Sequence, residues 1–292
     1  MMTEPSKSLI ETHLLGSRTR QYGIRVDRQD PRAWLQDFPV CPLLQDHQIA
    51  HTGIVRARPP FRIVRLQQGG SYFMACFGGE GRILVDGRWQ FCRQGTACLL
   101  PPRTMNAFHA LPGASWDFCW VRYQQPEEQQ PVATSHSPVL AAFDAAPLQA
   151  AIEGLFHESR TFAAPAQLHH WVELIQSYVM RFARPRRDDS RLWELWRQVA
   201  ADPGRNWTLQ GLAKTGHLSA EHLRRLCRRQ LGRTPMQHVT WLRMRAAGEL
   251  LSGTADTVET IAAKVGYRNP FAFSSTFKKW TGLRPSEFRN RV

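Results

Sequence analysis

Between residues 209 and 277 the sequence repeats itself, and this repeat limits what the chain can fold into more than any other feature. Leu212, Ala213 and His217 have counterparts 49 residues on, at Ile261, Ala262 and Gly266. Past the turn the offset becomes 50, pairing Leu223 with Phe273 and Cys227 with Phe277. A fixed apolar frame used twice means two copies of one supersecondary unit. In each copy a first helix runs into a turn, at Gly216-His217 or at Gly266, and a second helix follows. The small Ala213 and Ala262 let the two helices of a unit approach closely. The turn position four residues later calls for positive φ, where Gly is least strained and His is uncommon but tolerated. Ser219 and Asn269 are good N-caps, and Pro270 suits a first helical position. Thr234-Pro235 gives the same start to a connecting helix over residues 235 to 252, and Gly253 marks its end.

Charge falls on the second helix of the first unit, "SAEHLRRLCRRQLG". With Leu223, Leu226 and Cys227 on the buried face, Glu221, Arg224, Arg225 and Arg228 must point outward. A basic helix of this kind fits the DNA major groove, where Arg can pair with guanine through two hydrogen bonds. The structural alternative is a solvated basic face on an ordinary helical domain. Repeat, caps and charge together favour the nucleic-acid reading.

The segment resembles the DNA-binding domain of the AraC/XylS family of bacterial transcription regulators. The run "IAAKVGYRNPFAFSSTFKKWTGLRPSEFR" carries the resemblance at Ile261, Ala262, Gly266, Tyr267, Phe273, Phe277, Lys278, Lys279, Gly282, Pro285 and Arg289. The resemblance implies seven helices, with two helix-turn-helix units bridged by a long helix. By position it implies base-reading roles for Glu221, Arg224 and Arg225 in the first unit. In the second unit the same roles fall to Phe271, Ala272 and Ser275. Arg228, Lys278 and Lys279 are the expected phosphate contacts. The family often has Ser where Phe271 stands, Arg where Ser275 stands, and Gly where His217 stands. The second unit is therefore expected to read sequence weakly, or by apolar contact with thymine methyls.

The charge distribution agrees. The formal net charge is +14, and residues 191–292 hold 18 Lys/Arg against 7 Asp/Glu, a net +11. Residues 1–190 hold 20 against 17, a net +3. The basic excess thus belongs to the repeat-bearing part, as a phosphate-binding surface requires. No apolar run approaches the ~18 residues of a membrane span, and the start shows no signal-peptide pattern; the expected location is cytoplasmic. None of the six cysteines forms a CxxC pair, so buried reduced thiols are expected rather than zinc.

Residues 61–123 read as antiparallel β-structure. Short β-rich runs ("FRIVRL", "SYFMACF", "RILV", "RWQF", "TACLL", "AFHAL", "WDFCWVRY") are separated by turn signals at Gly69-Gly70, Gly78-Gly79, Asp86-Gly87, Pro101-Pro102 and Pro112-Gly113. Such spacing suggests a sandwich or barrel. The stretch "GEGRILVDGR…GTACLLPPRTMNAFHA" resembles the cupin-like jelly roll that serves AraC relatives as effector domain. Metal-binding cupins use several His and a Glu. Here His109 alone lies near such a place, so no metal, no cofactor and no catalytic residue is expected. The resemblance places an effector pocket in the barrel, at positions matching Phe108, Phe118 and Trp120, with Trp116 alternating onto the same face. The flat rings suit a sugar or another planar ligand; filling the core is the equal alternative. Arg62, Arg65, Arg82 or Arg103 would suit an acidic effector. Residues 1–60 have weak periodicity and correspond in the family to an arm leading into the first strands.

Beyond a Gln-, Glu- and Pro-rich stretch at 124–138 the pattern turns helical. Leu168, Trp171, Val172, Ile175, Tyr178, Val179 and Phe182 form one helical face. It either covers the barrel or meets its copy in a dimer. The family favours the dimer, and Leu168, Trp171, Val172, Ile175, Tyr178 and Val179 are its expected contacts. After the charged "RPRRDD", a helix through Leu192, Leu195, Trp196 and Val199 opens the last domain, and Asp202-Pro203-Gly204 stops it. The expected fold class is α+β multidomain, with a cupin-like β jelly roll and an all-α domain of two helix-turn-helix units. Its parts are an arm and barrel (1–137), a helical dimerisation segment (138–184), a linker (185–190) and a DNA-binding domain (191–292). The expected function is a sequence-specific regulator, read as an activator, controlled by a small-molecule effector. Its expected partners are promoter double-stranded DNA, a second copy and, for an activator, RNA polymerase. The rivals are a cupin enzyme with an appended DNA-binding domain and a constitutive DNA-binding protein with a degenerate barrel.

Overall fold

The structure, a computed structural model, describes residues 11–30, 32–65, 69–102, 104–124, 132–134, 137–184 and 190–290. Among the described residues the chain divides into two compact units, the first holding those up to 85, 89–134 and 140–184, and the second 86–88, 137–139 and 190–290.

Ten strands lie in the first unit among the described residues: β1 (Glu11–Leu15), β2 (Arg20–Arg25), β3 (Ile49–Ala57), β4 (Phe61–Arg65), β5 (Tyr72–Val85), β6 (Arg88–Arg93), β7 (Thr96–Leu100), β8 (Asn106–Ala110), β9 (Trp116–Tyr123) and β10 (Leu140–Ala142). They form one curled antiparallel sheet whose two halves share β5. Residues 81–84 of β5 pair with β8, which continues through β4 to β1. Residues 72–79 pair with β9 on one edge, leading to β3 and β2, while residues 72–75 pair with β7 on the other, leading to β10. This is the cupin-like jelly roll that the family resemblance implies, where the turn spacing alone suggested a sandwich or barrel. The Asp86-Gly87 hairpin has φ of 52° and 68°, the double positive φ that a two-residue turn demands.

Two expectations need correction here. Gly78-Gly79 is no turn: "SYFMACF" and "RILV" are one strand of 14 residues, bent between Cys76 and Gly78. Glycine permits the bend because Gly79 takes φ 65°, and a Cβ there would stand 2.0 Å from the Ser115 carbonyl oxygen. The second concerns the weakly periodic start. Residues 11–57 are not a simple arm, since they hold β1, β2 and β3 together with 3-10 turns at Ala33–Leu35 and Pro42–His47.

Strand alternation sorts β9 into two sets. Cys119, Val121 and Tyr123 join a core cluster with α1 (Ala146–Arg160) and α2 (Pro165–Ala183). Trp116, Phe118 and Trp120 face the other way, into the roll. The helices bury Leu148, Ala151, Ile152 and Leu155 from α1, and Leu168, Val172, Ile175, Val179 and Phe182 from α2. Two hydrogen bonds tie them to the sheet: Tyr22 donates to Glu153 Oε1 (3.2 Å), and Tyr123 donates to Gln176 Oε1 (2.7 Å). Residues 140–184 of the segment expected to dimerise are thus part of the first unit. Its apolar stripe lies inward, where the expectation had it meeting a second copy. A helix on a sheet needs the same 3.6-residue stripe as a helix on a helix, so the pattern alone could not choose.

The second unit holds seven helices among the described residues: α3 (Ser190–Ala201), α4 (Leu209–Thr215), α5 (Ala220–Leu231), α6 (Pro235–Gly253), α7 (Val258–Lys264), α8 (Pro270–Thr281) and α9 (Pro285–Arg289). The repeat is longer than its apolar frame suggested. Thr208 caps α4 and Thr257 caps α7, each accepting from the amide three residues on. Leu218 donates its amide to the Ala213 carbonyl, as Tyr267 does to Ala262. Gly232 (φ 70°) ends α5 and Gly282 (φ 83°) ends α8 in the left-handed conformation. Thr234 receives the Gln237 side chain on its amide at 2.8 Å, and Arg284 receives Glu287 at the same distance. Each pair keeps an offset of 49 before the turn or 50 after it. One core joins both units of the repeat through α6, with Leu195, Trp196, Val199, Leu212, Leu223, Trp241, Ile261, Phe273 and Phe277 all buried.

Candidate nucleic-acid interface

Helix α5 is built as a two-faced rod. Leu223, Leu226, Cys227 and Leu231 are buried, while Glu221, Arg224, Arg225, Arg228 and Arg229 are exposed. Ser219 accepts a hydrogen bond from the His222 amide and fixes where the helix starts. Arg224 reaches back one turn to Glu221 at 3.4 Å, both side chains being at least half exposed. Such a pair is worth little in water and is easily exchanged for a base or a phosphate. The expected readers Glu221, Arg224 and Arg225 therefore lie on one open face, with Arg228 a turn further on.

Helix α8 repeats the design with different chemistry. Asn269 accepts from the amides of Phe271 and Ala272, and Phe273, Phe277 and Trp280 anchor the helix. Phe271, Ala272 and Ser275 are exposed, with Phe271 at 84%. Lys278 and Lys279 are exposed in the last turn. A large apolar ring held in water this fully is unfavourable unless it has a partner elsewhere. Arg243 of α6 braces the unit from behind. Its Nε donates to the Pro203 carbonyl (2.9 Å) and its Nη2 to Arg205 (3.0 Å), and burial lowers its guanidinium pKa from the ordinary arginine value.

The inside of the jelly roll is a second candidate site. Phe108, Trp116, Phe118 and Trp120, the four expected pocket residues, are all at most 2% exposed. Trp116 and Phe118 lie 4.6 Å apart between ring centres, and Phe61 and Phe108 close around them at 6.0 to 6.3 Å. Those three expected residues fill the roll. Trp120 stands apart: its Nε1 donates to His51 Nδ1 at 2.9 Å, and Trp34 and Phe38 lie against it. Sequence reading missed His51 and Trp34. The alternation of Tyr22 and Ile24 with Gly23 and Arg25 was the available signal that this region is a strand. Of the arginines considered, Arg65 is buried over the Tyr72 ring (4.6 Å). Arg62 is exposed, and Arg82 packs on Phe91. Arg103 lies outside the described residues. His109 is half-buried against Trp89. All six cysteines are buried, and none is joined in a disulfide.

Comparison with known proteins gives two family matches: "Helix-turn-helix domain" over residues 212–291, and "AraC-like ligand binding domain" over residues 71–170. The RCS-specific HTH-type transcriptional activator RclR of Escherichia coli (strain K12) is 34% identical over 102 residues, 35% of this chain and 36% of that protein. The MmsAB operon regulatory protein of Pseudomonas aeruginosa is 26% identical over 278 residues, 90% of this chain and 89% of that protein. The C-terminal domain of AraT, a response regulator from Geobacillus stearothermophilus, is 28% identical with a TM-score of 0.34, covering 36% of this chain and 87% of that domain. The chain thus spans about a third of the length of the first of these relatives and nearly all of the second.

Proposed function

The chain belongs to the AraC family of transcription regulators, and from that premise we propose that it binds specific promoter DNA through α5 and α8 under the control of a small molecule held in the jelly roll. One observation carries the proposal: α5 buries its apolar face completely and leaves Glu221, Arg224, Arg225 and Arg228 on the face that remains. A helix of that kind reads base edges through Arg224 and Arg225, while Arg228, Lys278 and Lys279 neutralise phosphates. Helix α8 contributes apolar contact through Phe271, which suits thymine methyl groups. The two helices would enter successive major-groove segments about one turn, ~34 Å, apart. No catalytic residue, metal or cofactor is assigned to the chain.

For the effector, the proposal rests on Trp120 rather than on the packed Phe108, Trp116 and Phe118. A ligand regulates only by favouring one arrangement of the chain over another. Action as an activator through RNA polymerase, and a cytoplasmic location, belong to the same proposal. Self-association does too, through the outer face of α2. There Leu174 is exposed, and Trp171 and Tyr178 are half-buried at its margin.

The test is capture of sheared genomic DNA from the source organism by the full chain at moderate salt, followed by sequencing. A few discrete sites upstream of genes support the proposal. Even, sequence-independent retention at every salt concentration, with no change across a panel of small sugars and acids, would refute it.

A further inference from the structure

Inside the roll, three strands bring three basic side chains into one row. The register sets Arg25 of β2 opposite His51 of β3, and His51 opposite Arg122 of β9. Directly opposed residues of an antiparallel pair share a face. All three side chains are buried, at 5%, 1% and 8% exposure. Trp120 donates to His51 Nδ1, so a neutral His51 carries its proton on Nε2.

Arg25 is the member of this row whose chemistry is incomplete. Its Nη2 donates to the Gln36 carbonyl at 3.0 Å. Its Nε and Nη1 are enclosed and meet no acceptor, and no carboxylate pairs with it among the described residues. A buried cation without an anion is unfavourable, and a ligand that brings the counter-charge would relieve that cost. The surroundings define that ligand further. Trp34, Phe38 and Trp120 present rings around the row, with Trp34 and His51 edge to face at 5.2 Å. Rings suit an apolar or aromatic body, and the planar guanidinium suits a carboxylate.

We infer that the site built on Arg25 takes a small monocarboxylate with an apolar or aromatic body, which makes the effector an organic acid and not a sugar. The inference rests on the reading of the roll as the effector site. Nη2 carries two N–H donors, one on each two-donor edge of the guanidinium, and the Gln36 carbonyl takes one of them. The other edge is left for a carboxylate gripped by two hydrogen bonds.

Thermal melts of the full chain test this with straight-chain monocarboxylates, benzoate and 4-hydroxybenzoate, each beside its primary amide. At least one acid is expected to raise the melting temperature, and its amide to bind at least about tenfold more weakly, the size of one charged hydrogen bond. Arg25→Gln, checked for a cooperative melt, loses the response, and Arg25→Lys keeps a weakened one. The inference is overturned if amides act as well as acids, if no acid acts, or if the acid response survives Arg25→Gln. A shift by neutral sugars or amides that Trp120→Ala abolishes would reject the acid and leave the roll as effector site. Absence of any shift in the whole panel, with DNA capture unchanged by all of it, would remove both.

Discussion

His217 holds φ 50° in the place where Gly266 holds φ 82°, so one turn is made twice with unequal ease. A side chain in the left-handed region costs about 1–2 kcal/mol, and glycine gives back about 0.5–1 kcal/mol in chain entropy. His217→Gly is therefore expected to raise the stability of the second unit by up to about 1 kcal/mol. Gly266→Ala goes the other way, because a Cβ there meets Arg243 Nη2 at 2.7 Å and the Gly204 carbonyl at 2.8 Å. A loss of about 1–3 kcal/mol is expected. Urea unfolding of both variants checks the pair, and equal midpoints would show that the turn carries no strain.

Arg225 and Lys278 separate reading from gripping. Arg225→Ala is expected to lose about 1–3 kcal/mol at one base position and to relax the preference there. Lys278→Ala should weaken every site alike and lower the salt slope by about one. Binding to a randomised site library over a salt series measures both. Uniform weakening by Arg225→Ala would make it a phosphate contact.

Ile175 is completely buried beneath its own sheet. Ile175→Ala should cost about 2–5 kcal/mol of stability in the first unit, leaving the mass in solution unchanged while the chain stays folded. Leu174→Asp on the outer face should do the reverse. Analytical ultracentrifugation with thermal melts tells the two apart, and a stable monomer from Ile175→Ala would return the interface to the inward stripe.

The thiols give a chemical readout of burial. Burial pushes the Cys98 and Cys227 thiols up to about 12, and Cys119 higher, so none of the three is a thiolate near neutral pH. Cys76 is lowered, chiefly by its hydrogen bond with Cys92, whose own thiol is raised. Cys76 has no exposed surface either, so a thiol-reactive dye at mildly alkaline pH should reach Cys76 only through local opening, and Cys98, Cys119 and Cys227 only on unfolding. Early labelling of Cys119 would contradict the packing of β9 on the helices.

Legibility in the sequence followed how local the signal was. Caps, turn glycines and prolines act over four residues, so the second unit was readable almost to its helix ends; Gly253 closes α6 as expected. The Thr208 and Thr257 caps went unseen because threonine is common and its role shows only once the helix is placed. An apolar stripe states that a face is buried, not what covers it, and for that reason the α2 pattern left barrel cover and dimer contact both open. Arg25 and His51 were illegible for a different cause. Their meaning comes from strand register, which joins residues 26 apart in the chain and is written in no short motif.

Strand β5 belongs to both halves of the sheet. Adding or removing one residue within Tyr72–Cys76 would turn every later side chain of β5 to the opposite face, exchanging inside for outside on into the second half of the sheet, and a change within Gly81–Leu84 would do so for the rest of that half. Most strands of the roll tolerate a length change at their loops; β5 has no loop between its two roles. The irregular step between Cys76 and Gly78 is the one place along it where an inserted residue can be absorbed, so relatives of differing length in this strand should differ there and keep its two ends in phase.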